Sequence, residues 1–219
     1  MNINKHLILL FSVLFFLFAV SVSSGCFRKN ESDVKSVVRN ELDQLKNLDS
    51  ETTQKYIPYT ELFPDATENT DLTEEINETF SLFFRKFNYK ISDVIVGTAN
   101  HSATVSVKLT TIDSKVLARD FKAELLRTQI TESAQAQKGN IKDSSRSLEA
   151  HYLILNHLLN TNDYDTAETD CNIQLVNTGN DKKEKWKIQR TNSLEDDLVG
   201  GLIADLANPD ILSPEDTLT

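Results

Sequence analysis

Two cysteines, four histidines and a surplus of carboxylates are the side chains of this 219-residue sequence that could carry chemistry. Cys26 and Cys171 are its only thiols, the groups best suited to nucleophilic attack or to accepting a covalent group. Cys26 closes the run Val22-Ser23-Ser24-Gly25-Cys26 behind an apolar stretch. Cys171 belongs to the alternation Ala167, Thr169, Cys171, Ile173, Leu175, whose phase puts it on the apolar face of a strand. A free thiol there packs as a small hydrophobe; a reactive thiol is the competing reading. His6 lies in the N-terminal segment and His101 in a turn, and His151 and His157, six apart, fall on different faces of one helix. The sequence has no HExxH, no zinc-spaced Cys/His set, no Gly-rich phosphate loop and no GxSxG element. Asp163 and Asp165 flank Tyr164, and Glu195-Asp196-Asp197 sit in the first turn of a predicted helix. Acids favour a helix dipole in that position, the alternative being metal binding or acid catalysis. These residues predict no catalytic group, no metal and no cofactor.

The segment before Cys26 has the three parts of an export signal. Lys5 with His6 forms a short basic start, Leu7 to Val20 is apolar apart from Ser12, and small residues run from Ser21 to Gly25. Its apolar part is 14 residues long, short of the roughly 20 needed to cross a bilayer as a helix. Together these residues resemble the lipobox of bacterial lipoproteins, with Gly25 directly before the cysteine and Ser23 where that family prefers Leu. The resemblance implies that Cys26 accepts a diacylglyceryl group and that the peptide bond before it is then cut. Residues 1–25 would be the signal peptide, and Cys26 would hold the chain on the extracytoplasmic face of the cell membrane. Two acyl chains on one residue supply the double signal that stable anchoring requires. An ordinary signal peptide and an uncleaved anchor are the other readings.

Charge narrows the partners. The formal net charge is −10, and removing residues 1–25 takes away Lys5 and no acid, leaving −11. Such a surface disfavours nucleic acid, which demands Lys and Arg. Residues 26–30 are expected to be a lipid-bearing tether, 31–207 a single domain and 208–219 a flexible tail.

Helical spacing of Val34, Val37, Val38, Leu42, Leu45 and Leu48 predicts a helix over 32–48, and Asp49-Ser50 caps a short second one over 51–57. Asp71-x-x-Glu74 opens a third that reaches Phe87, with the stripe Ile76, Phe80, Phe83, Phe84 and Phe87. That stripe is core, or else the wall of an apolar pocket. Strands are predicted over 89–97 and 103–112, the second alternating Ala103, Val105, Val107, Leu109 inward with Thr104, Ser106, Lys108, Thr110 outward. Helices over 114–137 and 144–160 follow, then strands over 166–177 and 183–190, then a helix over 194–207 that contains Gly200-Gly201. Lys183, Lys185 and Lys187 face out and suit an edge strand kept from pairing, or contact with an anionic envelope polymer. Three Asn-x-Ser/Thr triplets, at Asn30, Asn77 and Asn100, matter only if the chain is not a bacterial lipoprotein.

The fold class is therefore α+β: an antiparallel four-stranded sheet from two hairpins packed against helices, with a helical pair between the hairpins. Leu45-Lys46-Asn47-Leu48-Asp49-Ser50 with Tyr56-Ile57, Trp186-Lys187-Ile188 and Leu198-Val199-Gly200-Gly201-Leu202 carry a resemblance to the cystatin-like fold typified by nuclear transport factor two. It extends to small Gram-positive lipoproteins of unassigned function and covers residues 31–206. The expected function is a membrane-anchored binding or scaffolding domain for an envelope protein or small ligand. A small enzyme working in a cystatin-like pocket is the alternative.

Overall fold

A computed structural model describes residues 30–56, 62–63, 66, 72–97, 101–136, 147–179 and 184–212. The export signal and Cys26 lie outside these residues.

The core is built on one face of a sheet. Strands β1 (Asn88–Val96), β2 (Ser102–Ile112), β3 (Thr166–Asn177) and β4 (Trp186–Ile188) lie in the order β1-β2-β3-β4, each antiparallel to its neighbour. Alternation fixes which side is covered. Ala103, Val105, Val107 and Leu109 of β2 are buried, and they pair with Leu175, Ile173, Cys171 and Thr169 of β3. Burial of each aliphatic side chain contributes about 1.5–3 kcal/mol. A one-residue slip would move this whole set into water, so the register is strongly specified.

β1 departs from strict alternation. Ile91 pairs with Val107 and Val94 with Val105, both inward partners, yet Ile91 and Val94 are three apart. A register shift between Ile91 and Asp93 absorbs the additional residue, Ser92, as a bulge. The exposed Ser92 hydroxyl donates to Ser106 O at 3.0 Å.

Helix α1 is described over 30–46 and buries Val34, Val38, Leu42 and Leu45. It ends before Leu48, which the sequence pattern placed in the stripe. Leu48 has φ 62° and is exposed, and the bonds Leu48 N–H to Leu45 O and Asp49 N–H to Gln44 O close a Schellman-type end. Asp49 then caps α2 (Ser50–Tyr56) by accepting from Thr52 N at 2.9 Å.

Helix α3 (Thr73–Phe83) starts at an N-cap, Leu72, that has no side-chain cap bond; Asp71 lies outside the described residues. A 3-10 turn at Phe84–Lys86 carries the chain into β1, so the expected continuous helix to Phe87 changes pitch. Phe80, Phe83, Phe84 and Phe87 are all buried, with Phe84 edge-on to Phe83 and Phe87 at 5.4 and 5.3 Å. These four rings are core.

Helices α4 (Ser114–Ala136) and α5 (Leu148–Thr161) form the pair between the hairpins. α4 buries Leu117, Ala118 and Phe121, while Leu126 and Ile130 in its second half are exposed. α5 begins later than its pattern suggested, because Ser147 caps it through a 3.1 Å bond from Ala150 N.

The expected closing helix is two helices, α6 (Asn192–Leu198) and α7 (Leu202–Ala207). Gly200 and Gly201 have φ 65° and 90°, values that break a helix and favour glycine. The break brings Gly200 against Thr111 at the end of β2, where a Cβ would overlap Thr111 Oγ1. The expected flexible tail is ordered at its start: Pro209–Leu212 forms a 3-10 turn and Ile211 is buried.

Candidate functional site

Among the described residues, the acidic clusters are tied into the framework. Glu195 is buried and accepts from Arg190 Nε at 2.8 Å and Nη2 at 2.5 Å. Asp196 Oδ1 accepts from Ile203 N at 2.9 Å and Ala204 N at 3.2 Å, which caps α7 across the glycine break. Asp197 faces Cys171. Burial pushes the Cys171 thiol up to about 12, with the Asp197 charge acting in the same direction. Burial likewise raises the Asp197 carboxyl. Burial of this kind disfavours the thiolate, the form in which a cysteine attacks. The three consecutive acids thus hold three different contacts and do not converge.

The Asp163-Tyr164-Asp165 triplet behaves similarly. Asp163 pairs with Lys86 at 2.5 Å, and that bond holds its exposed carboxyl below the ordinary range. Tyr164 is buried, donates to Asp120 Oδ2 at 3.2 Å and is pushed up to about 12, chiefly by burial. Asp165 contributes its backbone carbonyl, which accepts from Asp113 N.

His151 packs against the stacked pair Phe63 and Phe121, with ring centroids 4.9 and 5.7 Å away, and its Nδ1 lies 2.8 Å from Ser147 O. Burial lowers its pKa. His157 and His101 are exposed, and His157 lies six residues along the same helix. Among the described residues no three His, Cys, Asp or Glu side chains are grouped to hold a metal ion, and no helix is long and apolar enough to cross a membrane.

What remains is a surface. The second face of the sheet carries exposed or half-exposed Thr104, Ser106, Lys108 and Thr110 on β2 beside Glu168, Asp170, Asn172 and Gln174 on β3. Cross-strand register makes it a ladder. Thr104 Oγ1 donates to Gln174 Oε1 and Ser106 Oγ to Asn172 Oδ1, each at 2.9 Å. Both amides accept through oxygen, which leaves their N–H groups as donors to solvent. One rung along, Lys108 sits between Lys90 and Asp170 and pairs with Glu168 at 3.0 Å, which raises its pKa. The face is thus a preordered row of hydroxyls and amides, bordered by paired charges. Lys187 of β4 adds an exposed cation beside Val176, and Lys185 another; Lys183 lies outside the described residues.

Outward alternation on β2 was visible in sequence, but the partners on β3 were not, since their register depends on strands about 70 residues apart. Arg190–Glu195 and the contact of Ser114 Oγ with Gly200 O at 2.6 Å also left no signal in the sequence. Among the described residues, one open groove runs over Thr73–Glu78 of α3 and another lies between the first turn of α1 and the bulge of β1.

The fold and site define an α+β domain with one sheet face packed and the other free. No known protein family, curated protein or solved structure matches the chain.

Proposed function

We propose that this chain is an extracytoplasmic lipoprotein, anchored through Cys26, whose domain binds or scaffolds an envelope protein through the open face of the sheet. One observation carries the binding half of this reading. The covered face is filled by apolar side chains, including Val105, Leu109, Ile173 and Leu175, each no more than 1% exposed, while the hydrogen-bonding face is uncovered. A flat face of that kind matches another protein surface, whereas a small ligand or substrate calls for a concave pocket with convergent polar groups. The order of elements supports the cystatin-like reading as a description of architecture, and fold alone assigns no activity.

Metabolic labelling with an alkyne fatty acid tests the anchor. Wild type takes up label, and Cys26→Ser takes up none and keeps its leader, running as a larger species. Equal labelling of the two, or none in either, removes the lipoprotein reading. A photo-crosslinking residue at Ser106 tests the face, with Glu149 on α5 as control. A discrete adduct is expected at position 106 that is absent at 149 and lost in Asn172→Arg. Identical adducts at both positions, or none at 106, overturn the binding reading.

A further inference from the structure

We infer that one end of the open sheet face, the end that carries Ile95 and Val176, rests on the bilayer that holds the chain; this builds on the Cys26 anchor proposed above. The path of α1 gives the direction. Tyr89 OH lies 2.6 Å from Asp43 Oδ1, and Lys46 Nζ lies 3.0 Å from Asn88 Oδ1, so the end of α1 meets the start of β1. Glu31, Ser32 and Lys35 instead share a groove with Ile91, Asp93 and Val94. α1 therefore runs antiparallel to β1, and its first residue points toward the end of the sheet made by Val96, Ser102, Asn177 and Trp186.

Length then limits the distance. From Cys26 to residue 30 the chain reaches at most about 14 Å at roughly 3.5 Å per residue. From the level of that first turn, Ile95 lies only about 10 Å further along the strand at roughly 3.3 Å per residue. A strand end about 10 Å beyond that turn therefore lies within the reach that four residues give Cys26.

The side chains at this end suit an interface. Ile95 is 60% exposed and Val176 36%, both on the open face and one rung apart, since Ile95 pairs with Thr104 and Val176 with Ser102. Lys187 pairs with Val176, and Lys185 is exposed on the approach to β4. Lysine stems lie along apolar surface while their ammonium groups reach headgroups. Glu31, Asp33 and Asp93 share this end, so apolar contact rather than net charge makes the attachment. Leu126, Ile130 and Leu153, other exposed large hydrophobics, belong to α4 and α5 in the helical layer behind the sheet.

The native thiols allow a direct test. In the lipidated full chain Cys26 is acylated and Cys171 is buried, so an introduced cysteine takes a fluorophore alone. Ile95→Cys, Val176→Cys and Leu153→Cys, all at exposed positions, are labelled and the protein is reconstituted in vesicles of phosphatidylcholine and phosphatidylglycerol. Lipid-borne spin labels near the headgroups should quench the dye at 95 and 176 at least twofold more than at 153. Equal quenching at all three sites, in protein that floats with the vesicles, overturns the orientation while leaving the anchor intact. Protein that fails to float overturns the anchor and this orientation with it.

Discussion

Gly200→Ala is the sharpest test of how the C-terminal helices lock onto the sheet. Gly200 sits at φ 65°, where a side chain costs about 1–2 kcal/mol. An added Cβ would also overlap Thr111 Oγ1 and lie 3.2 Å from Thr111 Cβ, and overpacking of this kind costs about 1–3 kcal/mol. Thr111 is 1% exposed at the end of β2, so close packing leaves its side chain little room to move away. The two costs sum to about 3 kcal/mol of lost stability. Gly201→Ala separates them: its φ is 90°, but the nearest atom to an added Cβ is Ser114 Oγ at 3.7 Å, so only the backbone cost of about 1–2 kcal/mol remains. Thr111→Ala in the Gly200→Ala background removes the overlapping oxygen and should recover about 1–2 kcal/mol as a favourable coupling. Urea titration followed by Trp186, the sole tryptophan and a buried one, measures these three variants and Thr111→Ala alone. A Gly200→Ala loss under about 0.5 kcal/mol, or no coupling with Thr111→Ala, would refute the steric argument.

Four further outcomes follow from the same contacts. Leu48→Gly should raise stability by about 1 kcal/mol, because it relieves a left-handed residue at an exposed helix end; a lower urea midpoint would count against the Schellman assignment. Arg190→Ala should cost about 2 kcal/mol by stranding the buried Glu195 carboxylate, and Glu195→Gln less, as read by the same titration. Cys171 should resist an aromatic disulfide reagent at pH 8 in the native state and react within minutes once urea unfolds the chain; native reactivity would show the thiol is not held by burial. Because burial lowers the folded-state pKa of His151 below its ordinary 6.5, the unfolded chain binds the proton first. Stability should therefore fall as pH drops through about 6.5, and the fall should shrink in His151→Gln; identical pH profiles would exclude His151 as its source.

Much of the architecture was legible because its signals are local. Alternation in β2 and β3 assigned the buried face residue by residue, and the apolar spacing in α1 placed Val34, Val38, Leu42 and Leu45 on its buried side. The misread places depend on distant partners. Leu194, Leu198 and Leu202 keep helical spacing across Gly200-Gly201, so a continuous helix was the natural reading; the glycines break it with positive φ, and the contact that this permits, with Thr111, is far away in sequence. Ile91 and Val94 fit no single strand phase until the bulge at Ser92 is seen against β2. Leu48 continues the α1 spacing, and only its backbone shows that the helix has already ended. For the candidate face, the residue types were visible, and their assembly into a bonded ladder required the β2–β3 register.

That register also sets the order in which the chain can fold. β2 ends at Ile112 and its inner partner β3 finishes at Asn177, with α4 and α5 made in between. At about 5–20 residues per second, this interval of some 65 residues lasts roughly 3–13 s. Throughout it the hairpin of β1 and β2 has one long edge of unpaired N–H and C=O groups beside an apolar face, and pairing across so wide a separation is intrinsically slow. Helices α4 and α5 can form locally while they wait, since each needs only its own residues. The vulnerable period of this molecule is therefore its emergence from synthesis or export, and a chaperone that shields the free edge of β2 would act at the step where the fold is decided.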